Sequence, residues 1–206
     1  MLISFEGPIA AGKTTLAHLY SAHATGRLVL EEFTTNQFLE DFYADNDRWS
    51  LQMQLWFLLD RHTQLRALAN EENDLLVADY AFIKNEIFAQ MLLTGRDQLL
   101  FGRVVQALGS DILSPELYIY LDASNDVLLN RIAGRGRAYE SHINGDYLNR
   151  LRKAYDSNLD TRSGREVIHF DTSTLDLNSK EQLNAMFEFI DKWRLEQSEH
   201  LSELTV

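Results

Sequence analysis

The sequence predicts a three-layer α/β fold in which helices cover both faces of a five-stranded parallel sheet. Five short runs rich in apolar residues alternate with longer segments of helical period, as expected for parallel strands buried on both faces. A glycine-rich loop follows the first run, at the edge where a parallel α/β sheet binds its ligands. The predicted strands are 2–5, 27–30, 75–78, 117–121 and 166–170.

Segments with the 3.6-residue apolar period of helices separate these strands and follow the last one. Strands joined through helices imply right-handed crossovers and therefore a parallel arrangement. The predicted helices are 13–24, 36–43, 49–70, 84–94, 96–108, 124–132, 146–159 and 180–195. Because neither a repeat nor a linker divides the chain, we expect a single domain over residues 1–206, with a polar tail from about residue 197.

The composition argues against several classes of protein. A formal net charge of -12 disfavours a nucleic-acid-binding surface, which needs the opposite sign. The apolar runs are too short to span a bilayer, and the first residues lack the basic and apolar regions of a signal peptide. The chain has no cysteine, and its six histidines show no metal-ligand spacing. We therefore expect a cytoplasmic protein with no nucleic-acid partner and no membrane-inserted segment.

The glycine-rich loop, GPIAAGKT at residues 7–14, fits the pattern G-x-x-x-x-G-K-[ST]. Between a strand and a helix, its backbone N–H groups and the helix dipole converge on one point and favour an anion. The predicted contacts with a nucleoside triphosphate, ATP or another, are Gly7, Pro8, Ile9, Ala10, Ala11, Gly12, Lys13, Thr14 and Thr15. Lys13 would reach the β- and γ-phosphates, and the Thr14 hydroxyl would ligate Mg²⁺. This predicts a P-loop NTPase fold; the alternative is a tight glycine turn that binds nothing.

Two carboxylates follow predicted strands at the edge that carries the loop. Glu31 comes directly after strand 27–30 and could accept a proton from a hydroxyl that attacks the γ-phosphate. Asp79 follows strand 75–78 and could hold Mg²⁺ beside Thr14, directly or through water. The alternatives are a solvated loop glutamate for Glu31 and an N-cap for Asp79.

An arginine-bearing lid is predicted at about residues 133–143. Arg131, Arg135 and Arg137 lie in NRIAGRGR at residues 130–137, whose glycines we expect to break the helix and form a mobile, arginine-bearing loop. Phosphoryl transfer needs cations around the transferring group, and a closing loop would supply them while excluding water. The alternative is a solvated basic turn.

The predicted helix 49–70 carries Gln54 and Arg61, which are seven residues apart and share one face. An amide donates and accepts hydrogen bonds at once, which suits the edge of a nucleobase. Taken alone, both would be ordinary surface residues. Nearby aromatic residues form core more often than a base-stacking slot. They are Phe33, Phe38, Phe42, Trp49, Trp56 and Phe57.

Together these segments resemble the deoxynucleoside kinases, the family of deoxycytidine, deoxyguanosine and deoxyadenosine kinases, in their bacterial form. The similarity runs in order through the P-loop, residues 31–43, residues 48–61, YIYLDA at 118–123, and the lid with its following helix at 131–148. The lid sequence RIAGRGR, followed by Glu140 and Tyr147, is the most specific part of the match.

The resemblance implies an enzyme that transfers the γ-phosphoryl group of ATP to the 5′-hydroxyl of a deoxyribonucleoside. Glu31 would be the general base, Gln54 would hydrogen-bond the base, and Tyr43 with Glu140 would hold the 3′-hydroxyl. The implied substrate contacts are Tyr43, Gln54, Arg61, Asp79 and Glu140, and the implied catalytic residues are Lys13, Glu31, Arg131, Arg135 and Arg137. Members of the family are commonly homodimers built through helices, so a homodimer is expected.

Three positions depart from the family's pattern. Asp79-Tyr80-Ala81 stands where Glu-Arg-Ser is common, so the arginine that would support substrate and base is missing. Lys84 is the candidate to replace it. Glu32 replaces a proline, and Met53 stands where an aromatic residue often stacks on the base. The resemblance therefore leaves the base preference open.

Two alternative functions use the same fold. A thymidylate-kinase-like enzyme shares the P-loop and an arginine lid, but its phosphorylated acceptor calls for a basic pocket rather than Glu31 beside Tyr43 and Glu140. A catalytically silent nucleotide-binding subunit would keep the fold as structure alone. The intact Lys13 and lid arginines argue against that second alternative.

Overall fold

Five parallel strands form one sheet in the order β2-β3-β1-β4-β5. The computed structural model describes residues 1–71, 75–159 and 164–203, without the side chains of residues 138, 141 and 198–203. The strands are β1 (Leu2–Glu6), β2 (Arg27–Val29), β3 (Leu76–Ala78), β4 (Leu117–Asp122) and β5 (Val167–Asp171). The predicted five-stranded parallel sheet is therefore confirmed, and each strand ends within about one residue of its predicted bounds.

Eight α-helices are present in the described part of the chain. They are α1 (Lys13–His23), α2 (Leu39–Ala44), α3 (Asn46–Ala69), α4 (Lys84–Leu92), α5 (Gly95–Leu108), α6 (Asn125–Arg135), α7 (Gly145–Asn158) and α8 (Lys180–Glu203), and short 3₁₀ turns lie at Phe33–Thr35 and Ala138–His142.

Four helices differ from their predicted bounds by three residues or more. Helix α3 begins at Asn46 rather than residue 49, and α6 ends at Arg135 rather than residue 132. Helix α2 begins at Leu39 rather than residue 36, because the Asn36 side chain accepts a hydrogen bond from Phe38 N (3.0 Å) and forms a turn instead. Helix α8 continues to Glu203, so most of the predicted polar tail is helical, while residues 204–206 lie outside the described residues.

Alternate residues along the strands pack against helices on opposite faces of the sheet. Phe5 and Ile119 lie on one face in a cluster with residues of α1, α6 and α8. Leu2 lies on the other face with residues of α3 and α5, and Tyr118 lies there against α7. The sheet is therefore the middle of three layers, as predicted. Within the described residues, no helix combines the length and apolar character needed to cross a membrane.

The strand order places β1 between β3 and β4, so the glycine-rich loop leaves the centre of the sheet. Because all strands run parallel, the loop and the residues that follow β2 and β3 meet at one edge. Gly7 begins the loop with φ +142°, and a Cβ there would lie 2.1 Å from the Leu121 carbonyl oxygen. Only glycine fits this close approach to β4.

Candidate active site

The P-loop forms a cradle of backbone groups at the start of α1. Gly12 occupies the N-cap with φ 105°, and Ala10 also has a left-handed φ of 68°. The Lys13 ammonium donates to the carbonyls of Gly7 and Pro8, at 2.8 Å each. Burial and the nearby Lys84 lower the pKa of Lys13, while surrounding carboxylates oppose that shift. The loop thus places a cation and a helix N-terminus where an anion can bind.

Two cavities meet at this loop. The inner cavity, about 200 Å³, lies between the loop, helices α2, α3 and α4, and the 138–142 turn. The outer cavity, about 680 Å³, lies between the loop, α6 and residues 172–178. Residues Ala10 to Thr15 line the outer cavity, and Ile9, Ala10, Lys13 and Thr14 line the inner one, while the carbonyls of Gly7 and Pro8 hold Lys13. The site therefore has one compartment on each side of Lys13.

Glu31 lies in the inner cavity at the centre of a buried ion-pair cluster. Its Oε1 accepts from Arg61 Nε (2.8 Å) and Nη2 (2.5 Å), and its Oε2 accepts from Lys84 Nζ (2.6 Å). Burial alone would raise the pKa of Glu31, but the charges of Arg61 and Lys84 outweigh it and hold the pKa at about 2. Glu31 is therefore ionised throughout the physiological range. Lys84, the candidate for the missing family arginine, lies directly on this carboxylate.

Asn85 fixes the arginine of this cluster. Its Oδ1 accepts from Arg61 Nη1 (2.5 Å), and its Nδ2 donates to Phe82 O (2.9 Å). Sequence reasoning missed Asn85 and placed Arg61 near the base, whereas the guanidinium, only 3% exposed, contacts Glu31 and Asn85. The run of three polar residues that begins α4, Lys84-Asn85-Glu86, was the available signal.

A second missed residue is Glu6, the one acidic side chain in β1 and fully buried. Its Oε1 accepts from Ala81 N (2.6 Å), and its Oε2 accepts from the Tyr155 hydroxyl (2.9 Å). Glu6, the residue before the P-loop, is thereby hydrogen-bonded to the segment after Asp79 and to α7. A carboxylate inside an apolar strand, directly before a glycine loop, was the signal in the sequence.

Asp79 connects the P-loop to the Glu31 segment. Its Oδ2 accepts from the Thr14 hydroxyl (2.5 Å), and its Oδ1 accepts from Glu31 N (2.9 Å). The Asp79 carboxylate and the Thr14 hydroxyl are hard oxygen donors of the kind that Mg²⁺ prefers, so these two residues fit the ion expected from the sequence. Tyr80, where the family commonly has arginine, is instead buried and donates to Gln64 Oε1 (2.6 Å).

The rest of the inner cavity's wall is formed by aromatic side chains and by two hydrogen-bond acceptors that lack a partner among the described residues. Phe33, Phe42 and Phe57 line it, so these aromatic residues serve both as packing and as cavity wall. Gln54, only 2% exposed, and Glu140 also line it. Among the described residues, Gln54 Oε1 and Glu140 Oε2 have no hydrogen-bond partner. Buried oxygens of this kind are satisfied by a ligand that donates hydrogen bonds.

Tyr43 lies beside Glu140 in the same cavity and stacks on Tyr139, with ring centroids 5.0 Å apart. Burial, with Tyr147 and Glu140 nearby, raises the pKa of the Tyr43 phenol, so this hydroxyl stays protonated. The structure therefore gathers all of the substrate contacts implied by the sequence around one cavity: Tyr43, Gln54, Arg61, Asp79 and Glu140.

The lid differs from its predicted form. Helix α6 continues through Gly134 to Arg135 and ends at Gly136, whose φ of 62° caps it. A helical glycine costs only about 1 kcal/mol, so Gly134 does not break the helix. Arg135 and Arg137 line both cavities and lie 3.5 and 3.3 Å from Glu140 Oε1.

Arg131 stands apart from these lid arginines. It lies within α6 and donates to Thr172 O (2.6 Å), Thr172 Oγ1 (3.1 Å) and Ala10 O (3.3 Å). It therefore ties α6 to the P-loop and to the segment after β5 while lining only the outer cavity. Arg131 thus lies in the helix, as predicted, at the root of the lid, whereas the expected break at Gly134 is corrected: Arg135 ends α6 and Arg137 follows it.

A P-loop beside a cavity lined by an ionised carboxylate and by unpaired acceptors is the arrangement expected of a P-loop kinase. The deoxynucleoside kinase family model matches residues 3–201, and the chain belongs to this family. Its predicted activity, ATP-dependent phosphorylation of a deoxynucleoside, is confirmed, and the thymidylate-kinase-like and silent-subunit alternatives are not favoured.

Individual relatives agree with this assignment, and a solved structure shares the fold. The deoxyguanosine kinase of Bacillus subtilis (strain 168) is 35% identical over 157 residues, which cover 75% of this chain and 76% of that protein. The deoxyadenosine kinase of Lactobacillus acidophilus is 26% identical over 209 residues, covering 94% and 96%. The solved structure of deoxyadenosine kinase from M. mycoides with bound dATP has a TM-score of 0.78 at 23% identity, covering 93% of this chain and 99% of that one.

Proposed function

We propose that this enzyme phosphorylates the 5′-hydroxyl of a purine 2′-deoxyribonucleoside bound in the inner cavity, with ATP in the outer cavity. The observation that carries this proposal is the position of Glu31, which lines the same cavity as Lys13 of the P-loop and the two unpaired acceptors of Gln54 and Glu140. A purine is favoured because relatives among the most similar proteins are named deoxyguanosine and deoxyadenosine kinases.

Glu31 orients the attacking hydroxyl and accepts its proton. A carboxylate with a pKa of about 2 does not deprotonate a free alcohol, so proton transfer comes late, as the new phosphorus–oxygen bond makes the hydroxyl acidic. Arg61 and Lys84 hold the carboxylate in place without needing to move. Glu31 therefore contributes to catalysis by positioning the hydroxyl rather than by acting as a strong base.

Thr14 and Asp79 would hold Mg²⁺, which would neutralise charge on the donor phosphates when bound. Lys13 moves from the Gly7 and Pro8 carbonyls to the phosphates, and Arg135 and Arg137 approach from the lid. These three side-chain cations face the transferring group, where negative charge is spread in the transition state.

The enzyme acts as a cytoplasmic homodimer in this proposal. Support for a dimer comes from exposed leucines on two helices: Leu59 of α3 is 54% exposed, and Leu99 and Leu100 of α5 are 71% and 51% exposed. Large exposed apolar groups of this kind mark surfaces that bind another protein. Light scattering coupled to size exclusion would give the mass directly, and a monomer at micromolar concentration would contradict the dimer.

A phosphoryl-transfer assay with radiolabelled ATP tests the substrate assignment. The panel is the four 2′-deoxynucleosides, their ribo-analogues and thymidylate, each with and without Mg²⁺. We expect the purine deoxynucleosides to give the highest kcat/KM and all transfer to stop without the metal. Faster transfer to deoxycytidine or thymidine would overturn the purine preference, and transfer to thymidylate alone would overturn the nucleoside acceptor.

A further inference from the structure

The carboxylate of Glu140 has two different environments. Its Oε1 faces the lid, where Arg135 Nη1 lies at 3.5 Å and Arg137 Nη1 at 3.3 Å. Its Oε2 is buried and has no hydrogen-bond partner among the described residues. Glu140 is only 5% exposed, so bulk water does not compensate Oε2. One side of this group is thus used by the protein, and the other is left for a ligand.

The two arginines on Oε1 are shared between the cavities. Both line the inner cavity as well as the outer cavity beside the P-loop. Arg137 also lies over the ring of Phe33, with its guanidinium carbon 4.7 Å from the centroid, and Phe33 lines both cavities too. A ligand that fixes the Glu140 side chain therefore also fixes two cations that line the outer cavity, where the donor phosphates would bind.

The two arginines are partly exposed, and their contacts with Glu140 are long. Their side chains are 34% and 36% exposed, and both ion pairs are longer than a good charge-assisted hydrogen bond. A donor triphosphate that recruits them must pay to order the lid. If another ligand has already ordered it, the donor binds more tightly without a new contact.

We propose that Glu140 couples the two cavities: a sugar 3′-hydroxyl that donates to Oε2 fixes the carboxylate, which in turn fixes Arg135 and Arg137 for the donor phosphates. The nucleoside acceptor thereby strengthens binding of the phosphate donor. This coupling rests on the proposed function, because it requires a hydroxyl-bearing sugar in the inner cavity. By linkage, the donor strengthens nucleoside binding by the same factor.

Calorimetry on the unmodified protein tests the coupling. The donor probe is the β,γ-imido analogue of ATP with Mg²⁺, titrated alone, with saturating 2′-deoxyadenosine or 2′-deoxyguanosine, and with the saturating 2′,3′-dideoxy counterparts. We expect the deoxynucleoside to lower the Kd of the analogue at least about fivefold, the lower end of typical allosteric coupling, and the dideoxynucleoside to leave it nearly unchanged. Equal effects of the two nucleosides, or no effect of either, would overturn the coupling.

The variant Glu140→Gln assigns the effect to this carboxylate, since it keeps the shape but removes the charge that holds both arginines. We expect the coupling factor to fall to about one, while Glu188→Gln, an exposed change of equal charge on α8, keeps it. Full coupling in Glu140→Gln would contradict the proposal. Absence of any nucleoside binding to the unmodified protein would instead defeat the proposed function, which separates the two failures.

Discussion

Two carboxylates in this molecule each bind two cations, but they are built differently. Around Glu31 both oxygens are used, at 2.5 to 2.8 Å, and the Arg61 and Lys84 side chains are 3% and 9% exposed. Around Glu140 one oxygen holds two half-exposed arginines at 3.3 and 3.5 Å, and the other oxygen is unpaired. The first cluster is completed by the fold, whereas the second is completed by a ligand. Changes in the first should reduce turnover and stability, and changes around the second should reduce binding.

The largest effect is expected from Glu31→Gln. The amide cannot accept the hydroxyl proton and places a donor against Arg61 or Lys84, so kcat should fall about 10²–10⁴-fold with a much smaller change in the nucleoside KM. Steady-state kinetics measure both values, and Glu31→Asp, which restores the charge, should recover part of kcat. Undiminished turnover in Glu31→Gln would remove Glu31 from the mechanism. Thermal unfolding with and without substrate separates lost chemistry from lost folding.

Arg61→Lys tests whether the fold completes the first cluster. Lysine can reach Glu31 but cannot also serve Asn85, so a buried Asn85 oxygen loses its partner and unfolding should require about 1–3 kcal/mol less. We expect kcat to fall roughly tenfold as Glu31 becomes less well oriented. Urea unfolding of this variant is compared with Arg66→Lys, an exposed position on the same helix. Equal stability of the two variants would show that Asn85 does not depend on Arg61.

The difference between local pattern and tertiary contact explains which parts of the fold and the site could be predicted from the sequence. The strands and the positions of Glu31 and Asp79 were predictable, because apolar runs and the strand-end rule depend on local pattern. The Arg61–Asn85 contact was not, because it joins two helices through side chains whose meeting depends on tertiary packing. Arg131 lies in a helix, as predicted, but its contact with Thr172 could not be predicted for a related reason, because the two residues are 41 positions apart in the sequence.

Tyr43→Phe tests the ligand-completed cluster. The ring and its stacking on Tyr139 are kept, but the hydroxyl beside Glu140 is lost. One hydrogen bond to the sugar contributes about 0.5–1.5 kcal/mol, so the nucleoside KM should rise about 3–10-fold with kcat changed less. The rise should vanish with 2′,3′-dideoxynucleosides, which lack the contacted hydroxyl. An equal rise with both sugars would place Tyr43 elsewhere in the site.

The smallest effect is expected far from both clusters, at Asp191 of α8. Its carboxylate accepts from the Tyr20 hydroxyl (2.9 Å) and Arg194 Nη1 (2.9 Å) and contacts His23 Nε2 (2.8 Å). Burial alone would raise the pKa of Asp191, but the hydrogen bonds from His23 and Tyr20 and the charge of Arg194 lower it overall. A carboxyl with a lowered folded-state pKa stabilises the protein above its unfolded pKa of about 3.9 and loses that contribution as the pH falls through the folded value.

Asp191→Asn should therefore lower the melting temperature at about pH 7, by a few degrees, and the gap to the unmodified protein should narrow below about pH 4. Thermal unfolding at several pH values measures this gap, and Asp111→Asn, an exposed carboxylate in the loop after α5, should show none. Activity should be unchanged, since no Asp191 contact reaches either cavity. A gap that stays constant down to acid pH would mean that the Asp191 charge contributes nothing, and that apolar packing such as that of Tyr20 on Phe187 holds α8 to α1.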